Sequence, residues 1–204
     1  MSDTPLLIAG LGNPGAEYAR NRHNAGFLAA DVIQASYRFA PWRSRFQGLV
    51  CEGALGGRKT YLLKPMTYMN ESGISVAAAM RFYKLPLIAL VVLHDEIDLA
   101  AGKLKVKTGG GDAGNNGLRS ITATLGPDYR RVRIGVGHPG MKSRVTSHVL
   151  NNFTKAEEEW LVPLLSAIAE AAPFLARDDD AGFTTKVALM LKPPVKKPPP
   201  ERDS

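Results

Sequence analysis

The 204-residue sequence contains one cysteine, Cys51, and four histidines. A single thiol excludes an intrachain disulfide framework and any thiolate-rich zinc site, and it fits a reducing compartment. No GxSxG elbow occurs, and Cys51 lies in an apolar strand pattern where an inert thiol is expected, so covalent catalysis has no clear nucleophile. His94 and Asp95 are adjacent, but no HExxH-type spacing links them to His23 or His138, so a metal site lacks a recognisable ligand set. Long apolar runs are absent as well. LIALVVL at 87–93 is among the longest, and none reaches the length needed to span a bilayer. The opening MSDTPLLIAGLGNPG has no basic leader before an apolar core. Together these absences lead to the expectation of an intracellular, cytoplasmic protein with no metal or other cofactor.

What is present is a substantial apolar content, 45% of residues, enough for one core in a single domain. Charge is unevenly spread. Residues 103–144 hold nine Lys or Arg against two acids, so this segment carries the whole net charge of +7 and the remainder sums to zero. A local excess of this kind suits a phosphate-rich partner, through steering and counterion release, although a merely solvated basic face has the same composition.

PLLIAGL at 5–11 predicts a buried strand, GNPG at 12–15 a break, and Phe27, Leu28, Val32 and Ile33 a helix capped by Asn21 or Asn24. Strand, loop and helix in this order open an α/β layer fold. FQGLVCEG and RKTYLLKP predict an antiparallel pair. A helix follows, with Asn70 or Ser72 near its start and Ile74, Ala77, Ala78 and Phe82 at helical spacing, and then a core strand over 88–93 that ends in acids. Lys103, Lys105 and Lys107 alternate with Leu104 and Val106, so the three amines share one strand face. Arg131 and Arg133 do the same opposite Val132, Ile134 and Val136. Between these basic strands a Gly-rich loop, GGGDAGNNGL, runs into a helix. A last helix is expected over about 155–171, with Pro163 as a candidate break, and the tail KPPVKKPPPERDS has no capacity to pack a core.

GLGNPG at 10–15 matches a dinucleotide loop in letters only, because the helix begins too far downstream. Asn13, at the carboxyl end of the first strand, can instead offer an amide donor and acceptor to a substrate. His23 lies just before the helix, and a neutral imidazole takes a proton from water best when its other nitrogen donates to a carboxylate. HDEID at 94–98 supplies three carboxylates just past a core strand, with Asp95 the preferred partner over Asp98; a hydrated turn is the competing reading. Asn13, Asn70, Asn115 and Asn116 are candidate donors to an oxyanion, against simpler roles as helix caps. Met69, beside Asn70, is a candidate apolar wall for a substrate side chain or plain core packing.

GLGNPGAEYARNRHNAGF (10–27), KPMTYMNESG (64–73), HDEIDL (94–99), GGGDAGNNGLRSI (109–121) and RVRIGVGHPG (131–140) stand in an order and spacing that closely resembles the bacterial-type peptidyl-tRNA hydrolase family. The resemblance implies a single-domain three-layer α/β/α sandwich around a mixed twisted sheet, over residues 1–191; residues 192–204 lie outside it and are expected, from composition, to form a Pro/Lys-rich disordered tail. It implies a metal-independent, usually monomeric enzyme that hydrolyses the ester between an N-substituted aminoacyl or peptidyl group and the 3′ end of tRNA. By the same resemblance His23 is the base and Asp95 its orienting carboxylate. Asn13, Tyr18, Met69, Asn70 and Asn116 bind substrate. Lys107 and Arg133 clamp the tRNA 5′ phosphate, and Lys105 and Lys142 contact the backbone nearby. The glycine loop departs from the family's GGGHGGHNGL: Asp112 adds a charge, and Asn115 keeps hydrogen-bonding capacity without a titratable ring. Two alternatives stand beside this reading, a non-catalytic RNA-binding module and a small nucleotide-dependent oxidoreductase.

Overall fold

The computed structural model describes residues 4–192, so the expectation for the Pro-rich tail lies, from residue 193 onward, outside the described residues. Thirteen regular elements follow one another: β1 (Leu6–Gly10), α1 (Ala25–Ser36), β2 (Arg43–Arg45), β3 (Gly48–Leu55), β4 (Arg58–Pro65), α2 (Ser72–Tyr83), β5 (Leu90–Glu96), β6 (Leu104–Thr108), α3 (Asn116–Leu125), β7 (Arg130–Gly135), α4 (Val145–Val149), α5 (Lys155–Ala176) and α6 (Asp180–Met190). The strands form one mixed sheet in the order β2-β3-β4-β1-β5-β7-β6. β4, β1, β5 and β7 run parallel; β2, β3 and β6 pair antiparallel at the two sides.

Strand alternation divides the core into two layers. Leu6, Ile8, Val91, Leu93, Val132 and Ile134 face α1, α5 and α6. Leu7, Ala9, Leu63, Leu90 and Val92 face α2 and α3. The single-domain α/β/α sandwich with a mixed sheet is therefore the observed architecture. Because β1 sits between β4 and β5, the chain diverges to either side of it, and the crevice at the carboxyl ends of these parallel strands is where such sheets collect ligands.

Four element expectations need correction. The core strand runs to Glu96, so His94 and Asp95 lie within it rather than in a turn. On α2 the buried positions are Ser72, Gly73, Ser75, Val76, Ala77, Ala79 and Met80, whereas Ile74 and Phe82 are 47% and 53% exposed. Small residues face inward there because α2 packs tightly on α3: a Cβ at Gly73 would sit 2.4 Å from the Ser120 carbonyl oxygen. The helix expected to end near 171 runs through Pro163 and Pro173 to Ala176, and α6 follows it. By length and composition α5 is also apolar enough to cross a membrane, contrary to the expectation that no segment is; 56% of its most apolar window is buried in the fold, with Leu164, Ile168 and Leu175 in the core.

One close approach sets the geometry of the crevice. A Cβ at Gly26 would lie 2.2 Å from the Leu93 carbonyl oxygen and 2.3 Å from the Leu11 nitrogen. Only glycine lets the first turn of α1 press directly onto β1 and β5, which brings the residues just before α1 beside the end of β5.

Candidate active site

Arg22–Asn24 form a 3-10 turn ahead of α1, and each of its three side chains is engaged. Arg22 is buried and grips Glu157 of α5 with two nitrogens, at 2.8 and 2.6 Å, while Nη1 donates to the carbonyls of His148 and Asn151. Burial by itself raises the Glu157 carboxyl, but the hydrogen bond and charge of Arg22, together with the N–H and hydroxyl of Thr154, outweigh it and hold the carboxyl below the usual range. Neither asparagine expected as the α1 cap makes a capping side-chain bond. Asn24 instead clasps the Asn13 backbone, accepting from its N–H at 2.9 Å and donating to its carbonyl at 3.0 Å.

His23 lies 9% exposed between these anchors. Its Nδ1 is 2.9 Å from both carboxylate oxygens of Asp95. A carboxylate only accepts, so Nδ1–H donates and the Nε2 lone pair remains for the crevice. Burial by itself lowers the pKa of His23, but the charge of Asp95 and its hydrogen bond outweigh that, and the net value is raised. Asp98, the alternative partner, is exposed, and its N–H donates to Glu96.

The crevice is a cavity of about 850 Å³ with His23 and Asp95 in its wall. Asn13, Met69, Asn70 and Asn116 line it as well. Asn13 Oδ1 accepts from the Met69 N–H at 2.8 Å, which leaves the Nδ2 donor available to the cavity. Met69 is buried, whereas Asn70 and Asn116 are exposed; the latter accepts from Arg119 at 3.2 Å. Asn115 caps α3 and also donates from Nδ2 to Asp95 Oδ1 at 3.2 Å.

Two predicted site residues sit elsewhere. Tyr18 is not in the cavity wall: after Gly15 (φ 114°) the chain turns into the helical turn Ala16–Tyr18, and the aromatic ring at the wall is that of Tyr68, 60% exposed. Lys142 lines the cavity with His138, whereas Lys105 is not part of its wall. Lys105 and Lys107 are exposed on edge strand β6, opposite Arg133 and Arg131 in the register. Arg133 gives its Nε to the buried carboxylate of Glu96 at 2.9 Å, and Arg131 is almost wholly buried, so the amines of β6 form the open part of the basic face.

The remaining candidates for chemistry are closed off. Burial pushes the Cys51 thiol up to about 12. His94 is buried, its Nδ1 donates to the Asp95 carbonyl at 2.7 Å, and burial lowers its pKa. Among the described residues no three of His, Cys, Asp and Glu come together in a way that could hold a metal ion.

The sequence and the fold have close counterparts. The family model for peptidyl-tRNA hydrolase matches residues 7–195. The chain belongs to the peptidyl-tRNA hydrolase family. A peptidyl-tRNA hydrolase of Parvibaculum lavamentivorans is 59% identical over 195 residues, covering 95% of each chain. One of Mesorhizobium japonicum is 58% identical over 92% of this chain and 78% of its own length. The crystal structure of peptidyl-tRNA hydrolase from Acinetobacter baumannii superposes with a TM-score of 0.86 at 38% identity, covering 92% of this chain and 96% of that one.

Asn24, Asn115, Tyr68 and Arg22 are the site residues that sequence reasoning missed or assigned to lesser roles. Asn24 read as a cap and Asn115 as an oxyanion donor or a cap, and the pairing of Arg22 with Glu157 spans 135 positions that no local pattern connects.

Proposed function

We propose that this chain hydrolyses the ester bond between a peptidyl or N-substituted aminoacyl group and the 3′ end of tRNA, by direct attack of a water activated at His23. The observation that carries this reading is the buried 2.9 Å contact of His23 Nδ1 with the Asp95 carboxylate, at the wall of a cavity rich in amide groups. The carboxylate holds the tautomer that bares Nε2, and it stabilises the imidazolium that forms as water gives up its proton. The amides of Asn13, Asn70 and Asn116, which line the same cavity, donate to substrate carbonyls and to the developing oxyanion. Collapse of the tetrahedral intermediate breaks the acyl C–O bond, and the proton held on Nε2 goes to the departing ribose oxygen.

Lys105, Lys107 and Arg133 contact phosphates of the acceptor stem, and Lys142 contacts the strand that enters the cavity. Phosphate contacts position without reading base identity, which suits an enzyme serving many tRNAs. The chain acts as a monomer in the cytoplasm, and its reaction draws on no metal. A purely RNA-binding role leaves the His23–Asp95 pair without a use. The test is an assay of N-acetyl-aminoacyl-tRNA beside its free-amine counterpart, with and without chelator. Hydrolysis of the blocked substrate alone, unaffected by chelator, is expected; equal cleavage of both, or loss of activity with chelator, contradicts the proposal.

A further inference from the structure

We propose that Asn115 is a positioning residue for the hydrolysis, holding the Asp95 carboxylate in place against His23 through its side-chain amide. The inference rests on the reading of His23 as the base. The orientation of the Asn115 amide is not open to choice. Its Oδ1 accepts from the N–H groups of Gly117 and Leu118, at 2.9 and 3.1 Å, so Nδ2 is the end directed at Asp95. The oxygen it reaches, Oδ1, is also 2.9 Å from His23 Nδ1. A carboxylate that accepts from two fixed donors on different elements is restrained from rotating about its own bond, and the imidazole is restrained with it.

The strap that carries Asn115 is itself pinned. Arg131 donates to the Gly111 carbonyl at 2.8 Å, and its guanidinium lies 4.5 Å from the Tyr129 ring centre. The Asn115 N–H donates to the Asp112 carbonyl at 2.8 Å, and Thr122 holds the Asp112 carboxylate at 3.3 Å. Asn115 thus joins the start of α3 to the end of β5 through one neutral group that does not titrate. The other charged and titratable groups around the pair bond elsewhere than at the Asp95 carboxylate or line the same cavity. Glu96 is bound by Arg133, Arg22 by Glu157, His148 by the Val136 carbonyl, and the buried His94 donates to the Asp95 backbone carbonyl. His138 and Lys142 line the same cavity. Among the described residues only His23 and Asn115 bond the Asp95 carboxylate.

Two variants separate positioning from capping. Asn115→Ser and Asn115→Asp both keep a side-chain oxygen for the α3 cap, since serine, aspartate and asparagine cap about equally well. Neither can donate an amide hydrogen to Asp95, and the aspartate adds an anion beside it. With N-acetyl-aminoacyl-tRNA as substrate, Asn115→Ser is expected to melt near the parent temperature and to lose about tenfold in kcat with KM within about twofold, the size of one charge-assisted hydrogen bond. Asn115→Asp is expected to move the acid limb of the pH–rate profile upward by about one unit, because a second anion keeps His23 protonated longer. Parental kcat and pH profile in both variants, or a loss that merely follows a lowered melting temperature, overturns the proposal. His23→Ala is run alongside. If that variant is inactive while both Asn115 variants behave as the parent, Asn115 alone has been misassigned; if it retains full turnover, the reading of the base falls.

Discussion

At the scale of single residues, the behaviour of His23 is set by two opposing effects of known sign. Burial disfavours the imidazolium, and the adjacent Asp95 favours it more strongly, so the folded pKa is raised. A base must be neutral to work, so activity rises with pH through that raised value. Asp95→Asn removes the favourable charge and leaves burial, which moves the acid limb to lower pH while the plateau falls by roughly 10²–10⁴-fold, because the tautomer is no longer held. A kcat/KM profile of the variant from acid to alkaline pH checks both; an unmoved limb contradicts the assignment. The linkage has a matching sign for stability. The contribution of the pair is fully present below the pKa of an unfolded histidine and is lost as pH rises through the higher folded value. That His23, Asp95, Asn13, Met69, Asn70 and Asn116 line one cavity was legible from the spacing of the motifs taken together, since cap, core or turn roles competed for several of them singly. Tyr18 was misplaced, since an aromatic near a breaker cluster gives no sign of the direction the chain takes after Gly15.

At the scale of elements, the first strand–loop–helix unit makes the site possible, through contact of backbone with backbone. Gly26→Ala poses a clear contest of magnitudes. Alanine gains about 1 kcal/mol of helix propensity over glycine, yet its Cβ would meet the carbonyl oxygen of Leu93 at 2.2 Å. Overpacking of this kind costs roughly 1–3 kcal/mol or more, so a net loss and a melting point lower by roughly 2–8 °C are expected in a thermal scan. A higher melting point would show that the helix does not press on the sheet. The other elements were legible in proportion to their apolar period. β1, β3, β4 and α1 carry strong patterns and lie where expected. α2 does not, because its inward face is built from Ser72, Gly73 and Ser75, which hydropathy reads as polar or neutral. α6 buries only Phe183 and Val187, too sparse a repeat to announce a helix.

At the scale of the whole molecule, the proposed function falls to two regions. The cavity between the ends of β1 and β5 and the start of α3 holds the proposed base and the amides, whereas the exposed amines of β6 lie on the edge strand outside it. The charge excess of 103–144 was legible from composition, but its distribution was not. Arg131 turns inward to hold a loop and Arg133 shares its charge with Glu96, so less of the positive charge is open to a phosphate than the count of side chains implies. The lysines on β6 also protect the sheet edge, since charge on an edge strand opposes pairing with another sheet. The most direct test of this division measures tRNA affinity and single-turnover hydrolysis of N-acetyl-aminoacyl-tRNA on His23→Ala and Lys107→Ala side by side. The account predicts that His23→Ala binds tRNA as the parent does but hydrolyses roughly 10²–10⁴-fold more slowly. It predicts that Lys107→Ala binds more weakly, with a slope of log affinity against log salt smaller by about one, and reacts at the parental rate once saturated. Loss of binding in His23→Ala, or of saturated rate in Lys107→Ala, would contradict it.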